Sequence, residues 1–211
     1  MGQVLFIDSE RPDPDAVNAA VEVINRGGVV LSPTDTVSGL ACDPNRSEAV
    51  ERIREIKRRS ADKGFLLLIP GPDWVGRLAA VIPKDFQQLK QFWPGPVTFL
   101  FAAGPQAPWV VVSSEQRIGL RCPEDAFLQS WLKTLGRPLL STSANRSGEE
   151  GPATIVQLRK MFEGCVDLLL LGCDEIESRA STVVDLTVSP PEIVRRGEWA
   201  ERVEKVLRVG R

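Results

Sequence analysis

Short apolar runs and helical apolar patterns follow one another along the whole chain. Runs of a few apolar residues bounded by Gly, Pro or polar residues are typical of buried strands. They occur at 4–7, 29–31, 65–69, 97–101, 109–112, 118–120, 138–140, 166–171, 183–186 and 193–194. Apolar residues spaced three and four apart predict helices after Asp13, after Ser47, around 83–92, over 126–135, over 155–162 and beyond Trp199. This alternation predicts an α/β protein in which helices pack on a sheet.

Capping residues define the ends of the first two helices. Asp13 stands where an N-cap is needed, Pro14 occupies the first helical position, and Gly27-Gly28 follows the last turn. For the second helix the sequence predicts Ser47 as the N-cap.

Two predicted strands are followed directly by clusters of short polar side chains. The stretch after Leu140 reads Ser-Thr-Ser-Ala-Asn-Arg-Ser-Gly, and the stretch after 29–31 contains Thr34-Asp35-Thr36. In open α/β sheets ligands bind beyond the carboxyl ends of strands, and hydroxyl, amide and free N–H groups suit phosphate or carboxylate oxygens. The same residues are typical of turns and helix caps, so a ligand site and a structural turn both remain open.

The densest positive charge lies at the end of the second predicted helix. Lys57, Arg59 and Lys63 are bunched where that helix gives way to the strand at 65–69, which indicates an anion site or a solvated helix end. Arg121 ends another predicted strand, where it could bind a carboxylate or phosphate or form an internal salt bridge. If Lys57 and Arg59 face the surface, removing either side chain should change the stability little.

Composition restricts the chemistry that the chain can perform. Its 211 residues are 43% hydrophobic and 26% charged, with a formal net charge of −2 and no histidine. The overall charge therefore gives no affinity for nucleic acid, and a Ser-His-Asp triad or a Cys-His pair is excluded. The four cysteines form no C-x-x-C pair, so we predict buried free thiols and no protein metal site. Only a perturbed Cys or Lys, or the amino terminus, is expected to titrate between pH 6 and 8.

The sequence also predicts where the protein resides and how it is divided. The first residues lack a basic segment followed by a long apolar run, and no apolar run is long enough to span a bilayer. We therefore expect a soluble, cytoplasmic protein. Because no repeat or linker interrupts the sequence, we expect one domain over residues 1–211.

Taken in order, the motifs resemble those of the threonylcarbamoyl-AMP synthases, the YrdC-like proteins. The matching segments cover nearly the whole chain: Gly27-Gly28, 33–37 with Gly39-Leu40, Lys57-x-Arg59 with Lys63, 93–96 with Thr98, Arg121 with Pro123, 142–145 with Ser147-Gly148, 181–185, and Arg195 with Gly197. The resemblance implies a single-domain, twisted mixed sheet flanked by helices, with a large concave basic cavity. It is to the short form of the family, without the additional carboxyl-terminal domain of longer members.

The resemblance implies an activity and its partners. Members of this family condense L-threonine, bicarbonate and ATP, with magnesium, into threonylcarbamoyl-AMP and pyrophosphate, and downstream transferase proteins pass the threonylcarbamoyl group to tRNA. Direct binding of tRNA or double-stranded RNA is a further expectation, and no membrane is involved. Attack of a carbamate on the α-phosphate needs positioning and charge neutralisation rather than a histidine base, which agrees with the composition.

The resemblance also implies residue roles. The signature pairs Lys57/Arg59 and Ser143/Asn145 would be catalytic, and the nucleotide would be bound by Lys57, Arg59, Lys63, Ser143, Asn145 and Arg195. Threonine would be bound by Thr34, Arg121 and Ser181.

Four positions depart from the family pattern. Ser38 stands in place of Tyr, Arg58 in place of Gly, and Ser60 and Gly64 in place of prolines. The first change could loosen the packing of threonine, and the loss of two prolines could make the basic loop more mobile.

Two other functions fit the same resemblance. One is a non-catalytic RNA-binding or regulatory paralogue with this fold, against which the retained Ser143 and Asn145 argue. The other is a carbamoyl-transfer domain of a larger maturation protein, against which the absence of zinc-finger cysteines argues.

Overall fold

The computed structural model describes residues 2–60, 64–149, 151–172 and 179–209. Its strands are β1 (Gln3–Ile7), β2 (Val30–Ser32), β3 (Gly39–Cys42), β4 (Leu66–Leu68), β5 (Val97–Ala102), β6 (Arg117–Arg121), β7 (Leu139–Ser143), β8 (Leu168–Gly172), β9 (Thr182–Asp185) and β10 (Glu192–Arg195). Its helices are α1 (Pro14–Asn25), α2 (Ser47–Lys57), α3 (Val75–Leu78), α4 (Phe86–Leu89), α5 (Ala126–Leu135), α6 (Ile155–Phe162) and α7 (Ala200–Val209). Within the described ranges, no helix has the length and apolarity needed to cross a membrane.

All ten strands belong to one mixed sheet, in the order β1-β8-β2-β3-β7-β4-β6-β5-β9-β10. β8 lies between β1 and β2 and runs parallel to both. β7 lies between β3 and β4 and is antiparallel to both. β6 is parallel to β4 and so runs opposite to β7. The predicted α/β fold with a mixed sheet flanked by helices is confirmed.

β8 is an unbroken apolar run whose side chains pack into the cores on both faces of the sheet. Successive side chains of a strand point to opposite faces. Leu168 and Leu170 pack with α1 and α5, whereas Leu169 and Leu171 join the cluster that contains α2, α4 and α6. Because both faces of β8 are buried, every position of its core is apolar, which is the pattern that predicted a buried strand at 166–171.

The helices cover the two faces unequally. On one face, a large core extends from β8 to β9 and packs against α2, α3, α4, α6 and α7. On the other face, the core beneath α1 and α5 involves β1, β8, β2, β3, β7 and β4. Among the described residues, β6, β5, β9 and β10 contribute no member to this second core. Side chains such as Thr98 and Arg121, which point to that face, therefore lie beyond the cover of α1 and α5.

Helix boundaries follow the predicted caps with one exception. Asp13 caps α1, accepting a hydrogen bond from Asp15 N, and Gly136 ends α5 in the left-handed conformation. The prediction that Ser47 caps α2 is wrong by one position, because Ser47 is the first helical residue and Arg46 precedes it without a side-chain cap.

Three other local predictions need correction. β3 was not predicted, because its run Leu40-Ala41-Cys42 is short, contains small residues and directly follows a cluster of turn residues. The predicted strand at 109–112 is a 3₁₀ turn, Trp109–Val111, in which Val110 and Val111 are buried while Trp109 is 80% exposed. A run of this length does not distinguish a strand from a buried turn. The helix predicted at 83–92 is α4 followed by a 3₁₀ turn, Lys90–Phe92.

Candidate active site

A cavity of about 700 Å³ opens on the half of the sheet face that α1 and α5 leave uncovered. Its described lining contains three arginines and no carboxylate, a composition that suits oxyanions. Seven of the nine predicted site residues line it: Thr34, Arg59, Arg121, Ser143, Asn145, Ser181 and Arg195. Lys57 contacts the loop that forms one wall of the cavity, and Lys63 lies outside the described residues.

A second cavity, of about 1050 Å³, adjoins the first and shares Thr34, Thr36 and Ser38 with it. Its described lining has the opposite charge character, with Arg179 and five carboxylates: Glu10, Asp35, Glu124, Asp125 and Glu198. An anionic ligand is therefore favoured in the first cavity and disfavoured in the second. Ser38, one of the departures from the family pattern, lies at the boundary between them.

The loop after β7 forms one wall of the first cavity. The Ser143 hydroxyl donates to Asn145 Oδ1 at 2.5 Å, and the Asn145 amide donates to Arg146 O at 3.0 Å and Glu149 O at 2.7 Å. Ala144 N donates to Ser38 O at 2.7 Å, which joins this loop to the one that follows β2. Both polar clusters picked out in the sequence therefore lie at the same cavity.

Lys57, at the end of α2, is 1% exposed. Its ammonium donates to Asn145 O at 2.6 Å, to Asn145 Oδ1 at 3.2 Å and to Ser143 O. The expectation that Lys57 faces the surface is wrong, because the loop after β7 lies over the end of the side chain. Burial, and to a smaller extent the charge of Arg59, lowers the pKa of Lys57 to about 8.

Arg59 is half-buried beside this lysine and lines the cavity. Its guanidinium donates to Gly64 O at 2.7 Å and lies 5.0 Å from the centre of the Phe65 ring. A Cβ at position 64 would lie 2.7 Å from Val111 O, so glycine permits close packing of this backbone on the 3₁₀ turn. Arg58 takes the left-handed conformation with φ of 50°, a conformation that favours the glycine of the family pattern.

Arg121, at the end of β6, forms a buried ion pair with Asp35. The two side chains are 5% and 9% exposed, and Arg121 also donates to Thr36 Oγ1 at 2.8 Å. The second oxygen of Asp35 accepts from Glu124 N at 2.8 Å. The salt-bridge interpretation of Arg121 is thus confirmed, while Arg121 Nε is buried without a hydrogen-bond partner in the described structure. Sequence reasoning did not assign Asp35 or Thr36 to the site, although the Thr-Asp-Thr cluster was the signal.

Thr34 has a structural role in the turn after β2 as well as a place on the cavity wall. Its hydroxyl donates to Val37 O at 2.9 Å and accepts from Thr36 N at 3.0 Å. The Thr34 proton is used on Val37 O, so Thr36 Oγ1 must be the donor in its 3.0 Å contact with Thr34 Oγ1, while it accepts from Arg121. Of the two interpretations that the sequence left open, the structural turn is confirmed, and the ligand site stays a prediction for a residue that lines the cavity.

Ser181 and Arg195 form the opposite wall. Arg195 donates to Ser181 Oγ at 2.7 Å and to Ser181 O at 3.1 Å, and Thr98 Oγ1 lies 3.1 Å from Ser181 Oγ. Gly197 lies against the backbone of 180–182 so closely that a Cβ there would overlap it. Burial, followed by the nearby charge of Arg121, lowers the pKa of Arg195.

One buried carboxyl group was missed as a titrating group. Asp125 caps α5, accepting from Leu128 N at 2.7 Å, and burial raises its pKa to about 6. The expectation that only Cys, Lys or the amino terminus could titrate between pH 6 and 8 is therefore wrong.

Burial raises the pKa of the Cys42 and Cys122 thiols, so both remain neutral at pH 7. These two cysteines are buried free thiols as predicted, whereas Cys165 is exposed and Cys173 lies outside the described residues.

The fold and the site together define an α/β protein with an arginine-lined cavity on an open half of its sheet. The Sua5/YciO/YrdC family model, described as "Telomere recombination", matches residues 22–197. The chain belongs to this family, which confirms the resemblance found in the sequence.

Individual relatives include members with and without an assigned activity. The chain is 38% identical over 160 residues to a threonylcarbamoyl-AMP synthase of Nitrosococcus oceani, covering 74% of this chain and 85% of the relative. The crystal structure of Pyrococcus abyssi Sua5 complexed with L-threonine matches with a TM-score of 0.89 at 30% identity over 96% of this chain. The match covers only 60% of that longer protein. Escherichia coli YciO, named as an uncharacterized protein, matches with a TM-score of 0.87 at 30% identity, covering 93% of this chain and 96% of YciO.

Proposed function

We propose that this protein is an L-threonylcarbamoyladenylate synthase, a nucleotidyltransferase that condenses L-threonine, bicarbonate and ATP into threonylcarbamoyl-AMP and pyrophosphate. The observation that carries the proposal is the arginine-lined cavity, in which seven predicted ligand-binding residues meet without a carboxylate among the described lining. The synthase names of relatives and the threonine-bound structure of a relative support the choice of reaction.

Two groups of residues on the cavity wall would divide the substrates. Thr34, Arg121 and Ser181 would hold threonine, whose carboxylate could use the Arg121 guanidinium donors that Asp35 and Thr36 leave free. We propose that Arg59, Ser143 and Asn145 hold the nucleotide together with Arg195, which reaches it from the wall that carries Ser181. The sequence also assigns Lys57 to the nucleotide, and the nucleotide-binding role of Lys63 remains a prediction.

The chemistry that these residues can perform is positioning and charge neutralisation. The reacting nucleophile is a carbamate formed from the substrate's own amine and bicarbonate, and it attacks the α-phosphate as pyrophosphate leaves. Arg59 and Arg195 would stabilise the charge that develops on the phosphate oxygens. We propose that magnesium enters with ATP as part of the substrate, since the described wall offers cations to the phosphates rather than carboxylates to a metal.

A reconstituted assay tests the activity directly. Product, detected by mass spectrometry, should require L-threonine, bicarbonate, ATP and magnesium together. Loss of one methyl contact costs about 1 kcal/mol, so serine should react about fivefold more slowly than threonine. Arg59→Ala should lower the rate by an order of magnitude or more, whereas Arg77→Ala, which removes an exposed arginine stacked on Trp74, should not.

The same assay distinguishes the alternative function. Equal rates with serine and threonine would contradict selection of threonine. Binding of ATP without any product would favour the non-catalytic RNA-binding or regulatory paralogue.

The remaining partners follow from the proposed product. A threonylcarbamoyl adenylate is a reactive mixed anhydride, so we propose that a downstream transferase protein receives it for transfer to tRNA in the cytoplasm. Direct contact with tRNA or double-stranded RNA is a separate proposal, which a titration of labelled RNA against the protein at two salt concentrations would test.

A further inference from the structure

The Lys57 ammonium has three N–H donors, and the loop after β7 provides three acceptors for them. Those acceptors are Ser143 O, Asn145 O and Asn145 Oδ1. An ammonium has no further donor to offer. A phosphate oxygen could bind Lys57 only by displacing one of these oxygens from a side chain that is 1% exposed.

This arrangement fixes the orientation of the Asn145 amide. Lys57 can only donate, so the amide atom that it contacts must be the oxygen. The same oxygen accepts from the Ser143 hydroxyl at 2.5 Å, so the Ser143 proton is used within the loop and the hydroxyl oxygen keeps its lone pairs as acceptors. The amide nitrogen is turned to Arg146 O and Glu149 O. One buried cation thus determines the hydrogen-bonding pattern of both signature residues of the loop.

The backbone adds a second connection between α2 and the same loop. Ser147 N donates to Lys57 O at 2.9 Å, so the residue contacts the loop through its main chain as well as its side chain. The loop is also bonded at Ala144 N to Ser38 O. The Lys57 side chain therefore contacts the middle of a loop that is hydrogen-bonded to the turn after β2 at one end and to α2 at the other.

We propose that Lys57 is a positioning residue that orients Ser143 and Asn145 from behind the cavity wall and does not touch the nucleotide. The effect on turnover rests on the proposed function, whereas the effect on the loop does not. Arg59, two residues away, provides the contrast, because it lines the cavity, where a phosphate can reach it.

Steady-state kinetics separates the two kinds of cation. Lys57→Met keeps the length of the side chain and removes its donors, and should lower kcat at least tenfold while changing the dissociation constant of ATP less than threefold. Arg59→Met should instead weaken ATP binding at least tenfold. Lys57→Arg, which keeps a cation with several donors, should recover part of kcat at the same ATP affinity. Lys133→Met, an exposed lysine on α5, is the matched control and should resemble the wild type.

A double-mutant cycle tests whether Lys57 acts through Asn145. In the Asn145→Ala background, Lys57→Met should cause a loss of kcat at least fivefold smaller than in the wild type, since the residue to be oriented is already absent. Independent effects that multiply would contradict the proposal.

Hydrogen exchange tests the loop without any turnover. In the ligand-free Lys57→Met protein, the amides of Ala144 and Ser147 should exchange at least tenfold faster than in the wild type, with the amides of β8 unchanged. If neither amide changes, the proposal is overturned. It is also overturned if Lys57→Met weakens ATP binding tenfold with kcat intact, because Lys57 would then be a direct ligand. If the wild type makes no product while its loop responds as expected, the proposed function fails and the positioning role stands. Should Lys57→Met not fold, Lys57→Arg carries both measurements.

Discussion

The Arg121 guanidinium is held by Asp35, and the Asp35 carboxylate in turn holds the backbone of Glu124. One oxygen of Asp35 pairs with Arg121, and the other accepts from Glu124 N at 2.8 Å. Three segments, the turn after β2, the end of β6 and the start of α5, therefore meet at one carboxylate. Because both partners are nearly inaccessible to water, neither charge can be solvated if the other is removed.

Asp35→Ala should therefore be strongly destabilising. Removing one member of a buried ion pair costs about 3 kcal/mol or more, and the unfolding free energy in urea should fall by that order. Glu124→Ala, which removes an exposed neighbouring carboxylate, is the control and should change the free energy of unfolding by less than about 0.5 kcal/mol. Equal stabilities of the two variants would show that the pair contributes nothing to folding. A threonine affinity unchanged by Asp35→Ala would argue against a substrate role for Arg121.

A second prediction concerns the close approach of Gly197 to the segment that contains Ser181, just before β9. A Cβ at this position would overlap Ala180 O and the peptide between Ser181 and Thr182, so Gly197→Ala must displace that backbone. We expect a loss of roughly 1–3 kcal/mol in stability and weaker nucleotide binding, measured by denaturation and by calorimetry. Gly71→Ala is the matched control, since a Cβ at that glycine meets nothing within 4 Å. Similar behaviour of the two variants would contradict the packing argument.

A third prediction uses the backbone conformation of Arg58. A non-glycine residue with φ of 50° is strained by about 1 kcal/mol. Arg58→Gly should therefore raise the midpoint of urea unfolding. Lys133→Gly, within α5, should instead lower the midpoint, because glycine in a helix costs about 1 kcal/mol in the free energy of unfolding. A destabilised Arg58→Gly would mean that contacts of the arginine side chain outweigh the strain.

A fourth prediction follows from the lowered pKa of Lys57. The pKa of about 8 in the folded protein lies below the ordinary value of 10.5, so between these pH values the unfolded chain binds a proton that the folded chain does not. Stability should therefore rise with pH across that window, by up to roughly 3 kcal/mol relative to Lys57→Met. The groups that face the ammonium are neutral oxygens and the Arg59 cation. Parallel stability curves for the two proteins between pH 7 and 10 would rule this linkage out.

The sequence predicted the elements whose burial is complete and whose period is clear. β8 is buried on both faces and was predicted to within two residues at its start, whereas α5, which has an apolar stripe with an N-cap and a glycine end, was predicted to the residue. β3 and the turn at Trp109–Val111 could not be predicted, because pairing with neighbours and not local pattern decides their conformation.

The sequence predicted which residues line the site better than it predicted how those residues are arranged. Ligands were expected at shared carboxyl ends of strands, but β6 runs opposite to β7, so that rule does not bring Arg121 near Ser143. Arg121 instead meets the turn at 34–36, a contact between distant segments that no local pattern encodes. Burial of Lys57 was missed for a related reason. A basic cluster at a helix end looks solvated until the loop that lies over it is known.

The position of β8 between β1 and β2 bears on how the chain reaches its native state. Gln3 pairs with Leu168, and Val30 pairs with the same leucine from the other side. During synthesis, β1 has emerged long before β8 exists, so its amides and carbonyls must stay solvated or contact a chaperone while most of the chain is made. Closing so long a loop is slow compared with pairing neighbouring strands. The edge of the sheet nearest the amino terminus is therefore expected to be the last to form, and the interval before β8 arrives is when the exposed strand is most prone to aggregation.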